Sequence, residues 1–294
     1  MTDLITDRER CLICRGDGVA WIVAGSRELR RCRRCRFAWI VQGVKRAPNG
    51  QSIYEAASPA FFSDQQADYY LDESAVEAAR AKRIWVAGYV QPGARLLDIG
   101  ANLGLFVREA AVRFRASGVE PSANVVAWAR REVGADLEVG SIDDQLDRFH
   151  GQMDVVTMFD VLEHLPDPDR ALHRCHQLLR PGGHLFLTTP DAGSVMSRLL
   201  GRHWYYVDMD EHVALFTREN ARTVLERTGF EQLDARTIGR SYRFSYIRRR
   251  LQFLGSRAPL LRAAYAATWP LRFWPSARVT LDFGDVMGLV ARRL

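Results

Sequence analysis

The stretch LLDIGANLGLF, residues 96–106, opens with apolar residues, reaches a carboxylate at Asp98, and carries Gly100 and Gly104 ahead of a second apolar run. It reads as a strand ending near Asp98, a tight turn through Gly100 and a helix starting at Gly104. Glycine lets a ligand approach the backbone closely, and the amides at a helix start favour a carboxylate. The dinucleotide fingerprint Gly-x-Gly-x-x-Gly is not what this turn contains. In the following segment GVEP, Glu120 falls at the end of the next strand, where a carboxylate can accept two ribose hydroxyls.

Outward from this turn the pattern alternates. Helical spacing over 75–90 precedes it; then come helix 103–114, strand 116–121, helix 122–133, strands 135–140 and 153–160, helix 168–179 and strand 184–190. Alternation of this kind predicts an α/β fold with a doubly wound, mostly parallel sheet and ligands at the carboxyl ends of its strands. In helix 168–179, Asp167 caps, Pro168 suits the first turn, and Arg180-Pro181-Gly182-Gly183 closes. Its buried stripe is Ala171, Leu172, Cys175, Leu178 and Leu179. Thr217 opens a further helix, Gly229 stops it before a strand at 231–238, and 284–294 reads as the last strand.

The chain of 294 residues has a globular composition, 47% hydrophobic and 26% charged, which points to one main domain with appendages. MTDLITDRER lacks the apolar run of a signal peptide, and nothing approaches the ~18 apolar residues of a membrane span. The expectation is a cytoplasmic protein with reduced cysteines. A net charge of +6 suits nucleic acid, a phosphorylated metabolite or an anionic membrane alike.

Four of the five cysteines lie in CLICRGDGVAWIVAGSRELRRCRRCR, residues 11–36. Cys11 and Cys14 make one Cys-x2-Cys pair, Cys32 and Cys35 a second, and two such pairs can converge on one zinc ion. The segments VAWIV and RELRR predict a hairpin between them. Residues 1–40 are therefore read as a zinc ribbon that draws its folding energy from the metal, with a redox pair, unrelated thiols or an iron–sulfur cluster as the rival readings. Arg27, Arg30, Arg31, Arg33, Arg34 and Arg36 either grip phosphates or form a solvated face. Residues 41–75, with Tyr54, Phe61, Phe62, Tyr69 and Tyr70, form a connector, and 76–294 the main domain.

Asp98, Gly100, Gly104 and Glu120, followed by FDVLEHLPDP and LLRPGGHLFLTTP, resemble the class I S-adenosylmethionine-dependent methyltransferases over roughly residues 80–240. The ribbon is similar to that of a subgroup including nucleotide-sugar C-methyltransferases, and the LEH segment to quinone-type O-methyltransferases. The resemblance implies a seven-stranded sheet with S-adenosylmethionine as cofactor beside the zinc. Asp98 would orient the loop and the cofactor's amino group, Gly100 and Gly104 would admit its methionine portion, and Glu120 would hold the ribose. Ser141 would lie near the adenine and Ile142 pack on its face. Where the family has a middle glycine this chain has Asn102, whose side chain contacts the methionine portion or accommodates a left-handed turn.

Methyl transfer to a hydroxyl or carbon acid calls for a base beside the sulfonium. DVLEH offers Asp160, Glu163 and His164, the latter two also able to fix the turn by hydrogen bonding. WYYVDMDEHVALF, residues 204–216, offers Glu211 and His212, similar to the Glu-His pair in the acceptor site of sugar C-methyltransferases, with His212 as the favoured base. Trp204 would stack on a sugar ring and Tyr205 and Tyr206 orient hydroxyls, unless these aromatics are a packed lid. Asp-Pro-Pro-Tyr is absent, which tilts the acceptor towards oxygen or carbon.

Residues 242–275 are basic and aromatic: an insertion that roofs the site or an amphipathic segment touching an anionic membrane. The expected activity is methyl transfer to oxygen or carbon of a small molecule such as a sugar or glycoconjugate intermediate. The alternatives are an RNA methyltransferase, with nucleic acid the less favoured partner, or a non-catalytic cofactor-binding protein with a zinc module.

Overall fold

Leu96, Leu97 and Ile99 bury both faces of a short apolar run, and the run becomes β4 (Arg95–Ile99), an interior strand of a seven-stranded sheet. In this computed structural model, residues 10–24, 27–42, 73–208, 211–255, 259–274 and 277–294 are described. The expected connector lies outside them apart from its two ends. β5 (Arg115–Glu120), β6 (Leu137–Val139), β7 (Met153–Phe159), β8 (Leu179–Pro190), β10 (Phe230–Thr237) and β13 (Val286–Arg293) complete the sheet in the order β10-β13-β8-β7-β4-β5-β6. β13 runs antiparallel to both neighbours, and the pairings from β8 across to β6 are parallel. The fold is thus the α/β, doubly wound, mostly parallel arrangement expected, and the carboxyl ends of β4, β5 and β7 share one edge.

Around the sheet lie α1 (Glu73–Ala87), α2 (Leu105–Ala111), α3 (Ala123–Trp128), α4 (Pro168–Leu178) and α5 (Arg218–Arg227). α4 follows its local signals: Asp167 accepts from the Arg170 amide, Pro168 occupies the first turn, and Ala171, Leu172, Cys175 and Leu178 are buried. Two elements differ from the sequence reading. The helix expected over 122–133 keeps α-geometry only to Trp128 and widens into a π-turn at Ala129–Val133. β8 starts at Leu179 rather than after the glycines, because Leu179 is already extended and pairs with Met153; the register shift between Met153 and Val155 absorbs the Arg180–Gly183 stretch.

At the N-terminal end β1 (Gly18–Ala24) and β2 (Arg27–Cys32) form the expected hairpin, and β3 (Ala38–Gln42) adds to it. A fourth strand comes from far along the chain: β9 (Ala214–Leu215) pairs with β3 through Ala38↔Leu215 and Trp39↔Ala214. Cys11, Ile13, Phe37, Trp39 and Val41 belong to the same buried cluster as Leu97, Val156, Leu187 and Phe216. The ribbon and the large sheet therefore share one core.

The chain divides into two compact units, Met1–Ile238 with Gly284–Leu294, and Gly239–Phe283. The second holds a two-stranded sheet, β11 (Arg240–Arg243) with β12 (Arg278–Leu281), and two helices, α6 (Phe244–Gly255) and α7 (Pro259–Ala267). It extends beyond both ends of the basic insertion expected at 242–275. Among the described residues no helix is long and apolar enough to cross a membrane.

Candidate active site

The cofactor turn is built from the backbone outward. The amides of Gly100 and Ala101 both donate to the Val119 carbonyl (2.9 and 3.0 Å), which folds the turn across β5. Gly100 and Gly104 have φ of +71° and +75°, and a Cβ at either would fall 2.7 Å from Val161 and 2.5 Å from Ala135. The glycines are thus demanded by backbone conformation and by packing against the protein itself. Asn102, at φ 49°, adopts the left-handed conformation that asparagine tolerates, and its amide donates to Glu120 Oε2 at 3.0 Å.

Both carboxylates are buried. Asp98 accepts a 2.5 Å hydrogen bond from Thr157, yet burial pushes its pKa up to about 7 against the opposing pull of Thr157 and the Lys82 charge. Burial also raises the pKa of Glu120, offset by the Ser122 and Asn102 amides that fix its two oxygens. Asn102 Oδ1 is buried without a protein partner. A buried carboxylate awaiting a cation and an orphaned amide oxygen in one turn fit a ligand with an ammonium and a ribose, as S-adenosylmethionine has. Ser141 is exposed, and its amide and hydroxyl both reach Asp144 Oδ2 at 2.6 and 2.8 Å. Ile142 is half-buried against the core. The Gly140 amide donates to the Glu120 carbonyl at 3.1 Å, placing this turn beside Glu120.

A second cluster forms where the β7 turn meets the segment before β9. Glu163, His164 and His212 bring ligand atoms within 4.8 Å of one another. The His164 and His212 rings lie 4.8 Å apart, and His212 stacks on Tyr206 at 5.7 Å. His164 Nδ1 lies 3.1 Å from the Glu211 carbonyl and His212 Nδ1 2.8 Å from that of Tyr206. A carbonyl only accepts, so each Nδ1 carries a proton and donates it. Burial lowers the His164 pKa, keeping that ring neutral. Glu163 is the carboxylate in this group; Glu211 meets it through its main-chain oxygen. Asp160 sits in a left-handed conformation at the end of β7, and its Oδ2 is 3.7 Å from Lys82 of α1.

These features match known proteins. The methyltransferase domain family covers residues 67–235. This chain belongs to the class I S-adenosylmethionine-dependent methyltransferases. It is 33% identical over 121 residues to a ubiquinone biosynthesis O-methyltransferase of Erwinia tasmaniensis, covering 37% of this methyltransferase and 49% of the relative. With the enzyme of the same description from Xanthomonas campestris pv. campestris it shares 39% over 105 residues, 33% and 44% of the two chains. The methyltransferase thus spans about half the length of the curated relatives it matches. In fold it resembles S-adenosylmethionine-dependent methyltransferases from Thermotoga maritima (TM-score 0.52, 17% identity, 80% of this chain and 97% of that one) and Methanosarcina mazei (0.50, 16%, 71% and 97%).

The methyltransferase's four N-terminal cysteines also converge. Cys11 and Cys35, and Cys14 and Cys32, approach to 3.4 Å, and all four sulfurs lie within 4.8 Å of one another. A tetrahedral zinc tetrathiolate has sulfur–sulfur edges of about 3.8 Å, so the donor set fits. The two loops repeat each other: Cys11 N to Gly16 O with Arg15 N to Cys11 O, and Cys32 N to Phe37 O with Arg36 N to Cys32 O. Arg15 and Arg36, each directly after the second cysteine of its pair, are both left-handed. The hydrogen bond between the Cys11 and Cys35 sulfurs lowers the Cys11 pKa and raises that of Cys35.

The structure alters some roles read from sequence. Trp204 is fully buried and donates to Asp285 at 3.2 Å, and Tyr206 is buried beside it, so Trp204 offers no face to a sugar ring. Lys82, Asp144 and the closeness of Glu163 to His212 were not read from the sequence. Asp144 had a signal, the Ser-x-x-Asp spacing of a side-chain cap; Lys82 and Glu163 join their neighbours across the fold, with no local pattern.

Proposed function

We propose that this methyltransferase moves the methyl group of S-adenosylmethionine onto an oxygen of a small-molecule acceptor, with His212 taking the acceptor's proton. The supporting observation is the pair of imidazoles beyond the end of β7, His212 buried and His164 half-buried, each with its Nδ1 proton committed to a main-chain carbonyl. Bound S-adenosylmethionine supplies an electrophilic methyl on sulfur. Asp98, Asn102 and Glu120 hold its methionine and ribose portions, and Ser141 and Ile142 border its adenine. As the acceptor hydroxyl takes up the methyl that the bound cofactor would supply, its proton would pass to His212. His164 and Glu163 hold the adjoining charge and geometry.

The relatives' part in ubiquinone biosynthesis favours a phenolic hydroxyl, and the ribbon's likeness to that of sugar-modifying enzymes favours a sugar hydroxyl. A cell extract supplied with methyl-labelled cofactor, alongside phenolic quinone precursors, nucleotide sugars and RNA, separates these. Label in none of them would refute transfer; label in RNA alone would overturn the small-molecule reading. His212→Ala should lower kcat by about 10²–10⁴-fold and leave cofactor affinity within twofold; equal loss of both would remove its role.

Glu163, His164 and His212 also form a donor set able to hold a divalent cation, each histidine being oriented through its other nitrogen as metal ligands are. Dialysis against a chelator decides between the two uses. Turnover lost and restored by magnesium or zinc assigns the trio to a cation, whereas unchanged turnover leaves His212 as the base. The tetrathiolate cluster is read as a structural zinc site, to be measured as one equivalent of metal in the purified protein.

A further inference from the structure

Charge is distributed very unevenly along the chain. Residues 239–283 contain nine arginines, no lysine and no glutamate, and a single acidic residue, Asp282, which gives the segment a charge of +8. Since the whole chain carries +6, the remainder is −2. The same 45 residues include nine aromatics, and they coincide with the separate compact unit Gly239–Phe283.

Within this unit α6 packs against α7, and Arg248 bonds the Thr268 carbonyl and lies over the Tyr265 ring. The 3-10 turn Trp269–Phe273 follows and touches both helices. Trp269, Phe273 and Trp274 expose 52%, 59% and 62% of their surfaces side by side, with ring centroids 5.5 and 6.3 Å apart. The Arg272 guanidinium lies 3.5 Å from the centre of Trp269 and 4.6 Å from that of Phe273. Three contiguous large aromatics held in water are an unfavourable arrangement that a partner relieves.

We propose that the unit Gly239–Phe283 is a docking surface for an anionic lipid membrane, with Trp269, Phe273 and Trp274 entering the headgroup region and the unit's positive charge drawn to lipid phosphates. The charge supplies complementarity to an anionic leaflet, and indole rings with guanidinium groups are the side chains that settle at a bilayer interface. A nucleic acid partner fits less well: the rings pack edge to face on one another, and Arg272 occupies the faces on which bases would stack. This inference is independent of the methyl-transfer reading.

The test uses the full chain with phosphatidylcholine vesicles, with and without phosphatidylglycerol. Sedimented protein should rise roughly tenfold with the anionic lipid and fall back as salt is raised. Trp269 and Trp274 are the two of the chain's seven tryptophans that are more than half exposed, so brominated lipids should quench their red-shifted emission. The triple variant Trp269→Ser, Phe273→Ser, Trp274→Ser should lose both signals while its cofactor-binding heat is unchanged. Should that variant fold poorly, quenching of the unmodified chain still decides. No sedimentation at low salt, equal binding to both vesicle types, or displacement from anionic vesicles by RNA at equal phosphate would each overturn the proposal.

Discussion

Asp98 carries a testable consequence of its burial. With its pKa raised to about 7, the Asp98 carboxyl is protonated below neutrality until a cation faces it. A cofactor ammonium prefers the charged form, so binding expels a proton, and affinity should fall about tenfold for each pH unit below 7. Titration calorimetry in buffers of different ionisation enthalpy checks the proton release. In the cofactor-free protein the linkage has the opposite sign. Asp98 ionises near 3.9 when unfolded, so its contribution to stability declines as pH rises from about 4 to 7 and is flat above. Gly104→Ala would place a Cβ 2.5 Å from Ala135 at φ +75°, a loss of about 1–3 kcal/mol to be measured by denaturant unfolding. Asp98, Gly100 and Glu120 were legible because strand ends and turns are local. The groups that oppose the rise at Asp98, Thr157 and Lys82, lie on other elements and left no local trace.

Among the elements, α5 shows local instructions serving a distant site. Its capping box pairs Thr217 with Asn220, the Asn220 amide donating to the Thr217 hydroxyl and the Asn220 side chain accepting from the Thr217 amide. The same Asn220 side chain donates to the Cys35 carbonyl at 3.2 Å. Thr217→Ala removes the cap, and stability should fall by about 1 kcal/mol, seen as a lower Tm. Asn220→Ala should lower Tm further, since it also releases a ribbon loop. Thr217 as the opening residue and Gly229 as the stop were readable from sequence, as were Asp167 and Pro168 of α4, because capping and turn geometry depend on residues a few positions apart. The early start of β8 and the π-turn at Ala129–Val133 were not, since pairing with β7 and packing of Ala129 and Val133 decide them.

Across the whole molecule, the ribbon is bound into the catalytic body rather than appended to it. Ile40 donates to the Val213 carbonyl, Val213 donates to the Glu163 carbonyl, and β3 pairs with β9 two residues beyond His212. Phe37 packs on Phe216 at 5.1 Å, and Arg227 of α5 bonds the Ile13 carbonyl. Loss of the cysteine cluster should therefore be felt at the acceptor side. Cys32→Ser is expected to lower Tm in one cooperative transition, without a separate early melt of the ribbon, and to reduce turnover more than cofactor affinity; calorimetry and steady-state kinetics test the two halves.

What the sequence by itself determined was periodic or adjacent: the alternation of strands and helices, the caps, the carboxylates at strand ends and the paired cysteines. All are governed by backbone conformation within a few residues. What only the tertiary structure decided joins distant positions: Lys82 with Asp160, Glu163 with His212, and β3 with β9. Burial and long-range pairing create those contacts, and neither leaves a spacing that can be read along the chain.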